Sequence, residues 1–350
     1  MIYSAIIICF VVAVILTPMV KSIAIKIGAT DKPNNRKVHE KIMPRLGGLA
    51  IYVSFLIGFL VFLPNTIHYL PIMIGATIIV FVGILDDLFQ KSAKFKFIMQ
   101  LVAATIPVIG GFKIDFITIP FADRIEFGFL AIPITILWIV AITNAINLID
   151  GLDGLAAGIA AIAFLTISGL AVSMGNIPIA LISFMMLGST LGFLIFNFYP
   201  AKIFMGDTGS LFLGYMISVI AVTGLFKNVA LFSLLVPIII LAIPILDTLF
   251  AIIRRIIHKK PISAPDKSHL HHCILKLGYT HKQTVILIYG MSSLFSLAGI
   301  MLNRSEMWSS IIILFLILII VELLVELTGI ISESYRPLLK WLKLERVKSR

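Results

Sequence analysis

Five aspartates stand at the edges of long apolar runs: Asp86, Asp87, Asp150, Asp153 and Asp207. A carboxylate beside a membrane-length apolar segment is costly, and such residues mark functional sites. Gathered on one side of a bilayer, five of them repel one another, so something cationic must hold them. A divalent metal together with a phosphate-bearing ligand would do so. Oxygen-only donors suit Mg²⁺, with Mn²⁺ able to replace it, and a few carboxylates completed by substrate phosphates is the common Mg²⁺ arrangement.

Each group has a plainer structural reading beside the chemical one. Asp86 and Asp87 end an apolar run and could be a polar stop balanced by Lys91 and Lys94. On a helix, neighbours point about 100° apart, so one would face metal or phosphate while the other serves a second role. Asn147, Asp150 and Asp153 recur at i, i+3, i+6, near one face if the segment stays wound, and Gly151 and Gly154 allow it to unwind. Asp153 could simply cap the next helix, as could Asp207, which opens a run within Phe204-Met-Gly-Asp207-Thr-Gly-Ser210. Free N–H groups at such a helix start can also meet an anion. His269, His271 and His272 put three imidazoles within four residues. They could bind a transition metal, donate to phosphate or move protons. Lys267, Lys276 and Lys282 nearby favour anion handling over a solvated loop. Asp247 lies inside an apolar run, placed to pair with Arg254 or to line a cavity.

The elements that position these groups are membrane spans. With 60% hydrophobic and 13% charged residues in 350, the chain is no soluble globule. At about 20 apolar residues per span, eleven runs qualify: 2–20, 46–63, 70–89, 95–111, 129–147, 154–174, 178–197, 209–226, 229–256, 284–302 and 307–328. Ten result if the short or kinked ones merge. The expected fold is an all-α polytopic membrane protein: one transmembrane catalytic domain over 1–328 and a basic amphipathic tail over 329–350. Twenty-four of the 28 Lys and Arg fall on one side of this threading, which makes that side cytoplasmic. The N-terminus is then outside, the tail inside and all five acids cytoplasmic. The first run lacks a preceding charge and reads as a retained span. Net charge of +11 reflects this topology and anionic lipid, not nucleic acid. Cys9 and Cys273 form no disulfide framework. Loose alternation over 112–119 and 124–127 predicts a small extracytoplasmic β-hairpin.

In order along the chain, four stretches resemble the polyprenyl-phosphate N-acetylhexosamine-1-phosphate transferases. They are Gly83-Ile-Leu-Asp86-Asp87, Asn144-Ala-Ile-Asn147-Leu-Ile-Asp150-Gly-Leu-Asp153-Gly154, Asn197-Phe-Tyr-Pro200-Ala-Lys202-Ile-Phe204-Met-Gly-Asp207-Thr-Gly-Ser210 and His269-Leu-His271-His272. The resemblance runs from Asp31 to about Gln283. Asp31-Lys-Pro-Asn-Asn-Arg-Lys37-Val-His39, Pro44-Arg45-Leu-Gly-Gly48 and the run from Ser268 to Gln283 are similar to the WecA/TagO branch rather than the MraY branch. What this implies is a Mg²⁺-dependent enzyme of the bacterial inner membrane, using UDP-GlcNAc as donor and undecaprenyl phosphate as acceptor. UMP and undecaprenyl-diphosphate-GlcNAc would be its products, feeding wall teichoic acid or a related polymer. A homodimer is compatible with it.

The resemblance also assigns roles. Asp207 would be the main metal ligand, Asp86 would deprotonate or orient the lipid phosphate, and Asp87 would support metal and phosphate. Asn147, Asp150, Gly151, Leu152 and Asp153 would hold nucleotide and sugar, with Asp153 nearest the uracil and Phe204 stacked on the base. His269, His271 and His272 would contact the diphosphate, and Lys37, His39 and Arg45 would come from the first loop. Direct attack by the lipid phosphate is expected; a two-step route through an aspartyl-phosphate is the other mechanism. Rival functions are an MraY-type phospho-MurNAc-pentapeptide transferase and, in another class, an ion-coupled transporter. A transporter places its acids near the midplane, whereas these five cluster at span ends.

Overall fold

The computed structural model describes residues 2–31, 42–63, 66–118, 124–224, 235–259, 261, 268–331 and 335–341. Helix α1 (Ile2–Lys26) leads to a two-residue strand pair, β1 (Thr30–Asp31) with β2 (Met43–Pro44). There follow α2 (Gly47–Phe62), α3 (Leu70–Phe89) and α4 (Ala93–Ile109). The hairpin β3 (Phe116–Thr118) and β4 (Arg124–Glu126) pairs antiparallel, with Ile117 opposite Ile125, where the loose alternation predicts it. Next come α5 (Ala131–Ile149), α6 (Leu155–Ser173), α7 (Ile177–Asn197) and α8 (Gly206–Gly224). The chain closes with α9 (Leu235–Ile240), α10 (Ala242–Ile257), α11 (Leu270–Lys276), α12 (His281–Arg304), α13 (Met307–Thr328) and α14 (Pro337–Trp341).

Eight helices among the described residues are long and apolar enough to cross a membrane: α1, α3, α5, α6, α7, α8, α12 and α13. The other three predicted spans are helical but shorter, and each has a local reason. Helix α2 stops after 16 residues, where Leu63 turns extended ahead of Pro64. Helix α4 has 17 residues and opens on Ser92, whose side chain accepts the Phe95 N–H. The ninth predicted run divides into α9 and α10 at Leu241, because Pro244 has no N–H for the Ile240 carbonyl.

Helix α8 is the axis of the bundle. It is buried along nearly its whole length and packs against α2, α3, α5, α6 and α7. Its sequence allows this: Gly209, Ser210, Gly214 and Ser218 keep the surface thin, so neighbours approach closely. Several buried polar groups here pair across helices, as a lipid-embedded protein favours. Tyr215 donates to the Ile72 carbonyl (3.1 Å), Trp138 Nε1 to the Ser218 carbonyl (3.2 Å) and Ser54 to Ser189 Oγ (2.6 Å). Helices α1 and α13 lie outside and carry exposed Ile, Leu and aromatic side chains suited to lipid. Cys9 and Cys273 are both buried, and neither is in a disulfide. Of the basic tail over 329–350, residues 332–334 and 342–350 lie outside the described residues.

Candidate active site

Asp87 and Asp207 meet where α3 ends and α8 begins. Gly83 makes the meeting possible: a β-carbon there would collide with the Thr208 Cα. With the helices this close, Asp87 reaches the open N-terminus of α8. Its Oδ1 accepts the Asp207 N–H (3.0 Å), and its Oδ2 accepts both the Thr208 N–H (3.1 Å) and the Thr208 hydroxyl (2.7 Å). Asp87 is therefore the cap of a helix distant in sequence, and its charge complements the positive end of that helix. The capping role that the sequence allows for Asp207 is filled by Asp87, which leaves the Asp207 carboxylate free to act elsewhere.

Two cations complete this junction. Lys96, in the first turn of α4, donates to Asp207 Oδ2 (2.8 Å) and Asp86 Oδ2 (3.3 Å). Arg45 places Nε 3.4 Å from Asp87 Oδ1 and Nη2 3.8 Å from Asp207 Oδ1. The 100° offset between adjacent helical residues sends Asp86 towards Lys96 and Asp87 towards α8. The Asp86 and Asp207 carboxyls are within hydrogen-bonding reach of each other, and buried Asp86 Oδ1 has no partner. An orphan carboxylate oxygen beside a second carboxylate, both already held by an ammonium group, is a donor set that suits a hard divalent cation. No ready-made group of three His, Cys, Asp or Glu ligands occurs among the described residues.

Asn147, Asp150 and Asp153 do not share one helix face. Helix α5 ends at Ile149, Asp150 follows it, and Gly154 begins α6 with a φ of 77°. Asn147 donates to Ser210 Oγ (2.8 Å), which ties α5 to the first turn of α8. Asp150 is part-buried and within electrostatic range of Asp207, Arg45 and Asp87. Desolvation, then the Asp207 charge, pushes its carboxyl up to about 7, with Arg45 pulling the other way. Asp153 does not cap α6; its Oδ2 accepts the Ala201 N–H (2.9 Å). The Leu152 side chain is buried in the core, so only its backbone is available to a ligand.

The histidines arrive from the other side on α11. Asp247, buried in α10, takes the His269 ring at Nδ1 (2.8 Å) through Oδ2 and the Leu270 N–H (2.7 Å) through Oδ1. It thus anchors α11 and serves the histidines, a role the sequence reading does not reach. The His269 and His271 rings stack nearly parallel, and His272 lies 4.2 Å from His271 between centroids. A β-carbon on Gly151 would stand 2.5 Å from His271 Nε2, so the imidazole faces the backbone of the Asp150 loop. Burial, then the neighbouring His272, drives the His271 pKa down to about 3; it is a neutral imidazole, and its Nδ1 has no partner.

Phe204 sits on the approach to α8, where its N–H donates to the Pro44 carbonyl and its carbonyl accepts from Gly47. Lys37 and His39 lie outside the described residues. Sequence reasoning counts Lys96 only for topology, because it stands third in a cluster with Lys91 and Lys94 and nothing local singles it out. It also passed over Thr208, Ser210 and His281, whose types are common in purely structural positions.

Carboxylates, cations and imidazoles gathered at one end of a membrane-spanning bundle define a membrane-embedded transferase of phosphorylated substrates. Residues 69–225 match the profile of Glycosyl transferase family 4. The chain is 52% identical over 341 residues, covering 97% of itself and 95% of the relative, to the "Probable undecaprenyl-phosphate N-acetylglucosaminyl 1-phosphate transferase" of Bacillus subtilis (strain 168). It is 34% identical over 310 residues (78% of this chain, 75% of the relative) to the "Decaprenyl-phosphate N-acetylglucosaminephosphotransferase" of Mycolicibacterium smegmatis (strain ATCC 700084 / mc(2)155). Identity is 28% over 295 residues, 82% of this chain and 80% of the relative, to the "Undecaprenyl-phosphate alpha-N-acetylglucosaminyl 1-phosphate transferase" of Escherichia coli (strain K12). The chain belongs to glycosyl transferase family 4, as a membrane phosphoglycosyltransferase of the WecA/TagO branch.

Proposed function

We propose that this enzyme transfers GlcNAc-1-phosphate from UDP-GlcNAc to undecaprenyl phosphate, giving undecaprenyl-diphosphate-GlcNAc and UMP. The reaction would begin a wall teichoic acid or related glycopolymer. The observation that carries this reading is the junction of Asp86, Asp87 and Asp207 with Lys96 and Arg45, one loop away from Asp150 and the histidines. The placement of Lys and Arg supports a cytoplasmic active site and an outside N-terminus. That is where a lipid phosphate anchored in the inner leaflet meets a soluble nucleotide sugar. The eleven-span reading then counts α2, α4 and the broken α9–α10 pair as short crossings.

An oxygen of the lipid phosphate attacks the sugar-bearing phosphorus of the donor; a new P–O bond forms there as the bond to the uridine-bearing phosphate breaks. The acceptor is already an anion, so positioning and charge neutralisation supply most of the rate. Asp207 and the spare oxygen of Asp86 are the groups suited to hold Mg²⁺, which would neutralise phosphate charge when bound. Both Asp87 oxygens are engaged on α8, so Asp87 supports that metal position by fixing Asp207. Asp86 orients the acceptor phosphate opposite Lys96. The Asp150–Asp153 loop, with Asn147 behind it, holds nucleotide and sugar, and Phe204 flanks the base. Neutral His271 offers an N–H to the diphosphate, next to His269 and His272.

Membranes containing the protein, given both substrates and Mg²⁺, should release UMP. Chelation or Asp207→Ala should stop it, and UDP-MurNAc-pentapeptide should not replace UDP-GlcNAc. UMP release that survives both chelation and the substitution would refute the metal assignment. No release with either donor would refute the transferase reading.

A further inference from the structure

The loop from Asp150 to Gly154 carries the donor-side groups, and within it the Gly151 N–H donates to the Ile149 carbonyl (2.8 Å) and the Leu155 N–H to the Leu152 carbonyl (3.0 Å), which leaves the Asp153 and Gly154 N–H groups to partners elsewhere. Helix α6 starts on Gly154 without a side-chain cap. The Asp153–Gly154 backbone is held from outside the loop. The Asp153 N–H donates to His281 Nε2 (3.0 Å), the Gly154 N–H to Asn197 Oδ1 (3.2 Å), and the Tyr289 hydroxyl to the Gly154 carbonyl (2.5 Å). His281 and Tyr289 both belong to α12, and Gly158 leaves the room that the Tyr289 ring fills. His281 is not consumed in starting α12, because Thr280 and Gln283 close that end as a capping box. Its ring lies against Tyr199, centroids 4.6 Å apart. Since Nε2 accepts, its proton sits on Nδ1.

We propose that His281 is a positioning residue for the donor: a neutral imidazole acceptor that fixes the Asp153 peptide. Asp153 is then pinned twice, at its N–H by His281 and at Oδ2 by Ala201, and neither bond uses Oδ1. This rests on the reading of the Asp150–Asp153 loop as the nucleotide-sugar site.

Two properties of His281, its acceptor and its ring, can be separated. His281→Phe keeps a ring against Tyr199 and strands the Asp153 N–H, whereas His281→Gln restores an acceptor without the ring. In the purified full chain, His281→Phe should raise KM for UDP-GlcNAc about tenfold, the worth of one well-placed hydrogen bond, and change KM for undecaprenyl phosphate by less than about twofold. His281→Gln should recover most of the loss. Equal behaviour of the two variants, a parallel rise of both KM values, or no change in either would overturn the proposal. If His281→Phe fails to fold, His281→Ala against His281→Gln decides by the same measurement. Asp153→Ala tests the underlying reading separately. A raised donor KM in Asp153→Ala with none in His281→Phe defeats the positioning role alone. An unchanged donor KM in Asp153→Ala defeats the loop assignment and this proposal with it.

Discussion

The two sides of the site are held together by different physics. At the junction of α3, α4 and α8, three carboxylates are balanced by Lys96 and Arg45 and by the N–H groups of α8, so charge meets charge. On the α11 side, His269 and the Asp150 loop are fixed by hydrogen bonds, with buried Asp247 holding the His269 ring, and His271 and His272 pack ring against ring beside it. On the proposed function, a metal and substrate phosphates would take the place of the ammonium and guanidinium partners of the first region. The second offers fixed hydrogen-bond donors and acceptors, which suits recognition of a nucleotide sugar. A transferase needs both: neutralisation where charge accumulates, and rigid placement of the donor.

If this division is right, substitutions on the acidic side should act on kcat and metal dependence. Asp207→Ala should lower kcat by about 10³-fold or more, the scale of losing a principal electrostatic group. A residual rate within tenfold of the parent would collapse the distinction between the two sides. Asp247 comes next in size. Asp247→Ala removes the partner of His269 and of the Leu270 N–H at once, and a buried donor left unsatisfied costs ~1–3 kcal/mol, or about 5- to 150-fold in rate. Asp247→Asn is milder: its amide oxygen still accepts the Leu270 N–H, but its NH₂ now faces His269 Nδ1 and moves the ring proton to Nε2. Steady-state kinetics should therefore rank the parent above Asp247→Asn, and Asp247→Ala last. If the two variants match, Asp247 only docks α11 and does not set the imidazole.

Much of this was legible beforehand. The long apolar helices, the hairpin and the clustering of acids at helix ends follow from apolar run length, alternation and isolated charge, which are local signals. The interruption at Leu241 was half legible: Pro237 and Pro244 announce a bend, but not that two separate helices result. What the sequence could not disclose is which carboxylate serves which helix. Asp87 caps α8 across 120 residues, and Asp247 reaches His269 across 22. Both pairings depend on close approach of distant segments, such as that permitted by Gly83, and local patterning carries no trace of it. Lys96 illustrates a different gap: its charge was visible, but topology alone explained it.

Asp150 lies where the two sides meet, and its predicted effect is the smallest and the most diagnostic. Its carboxyl, ordinarily near 3.9, is pushed up to about 7 by desolvation and by the charge of Asp207. In the unfolded chain it ionises near pH 4 at little cost. In the folded chain ionisation is opposed, so as pH rises from about 4 through about 7 the group withdraws stability from the native state. Asp150→Asn removes that liability. The thermal midpoint of the substrate-free variant should match the parent at pH 5 or lie slightly above it, and the gap should widen in its favour by pH 8. UDP-GlcNAc with Mg²⁺ should narrow the gap, because cationic charge brought to the acidic side favours the ionised parent carboxylate but not an amide. A gap independent of pH would mean that neither burial nor the Asp207 charge raises the Asp150 carboxyl in the folded chain.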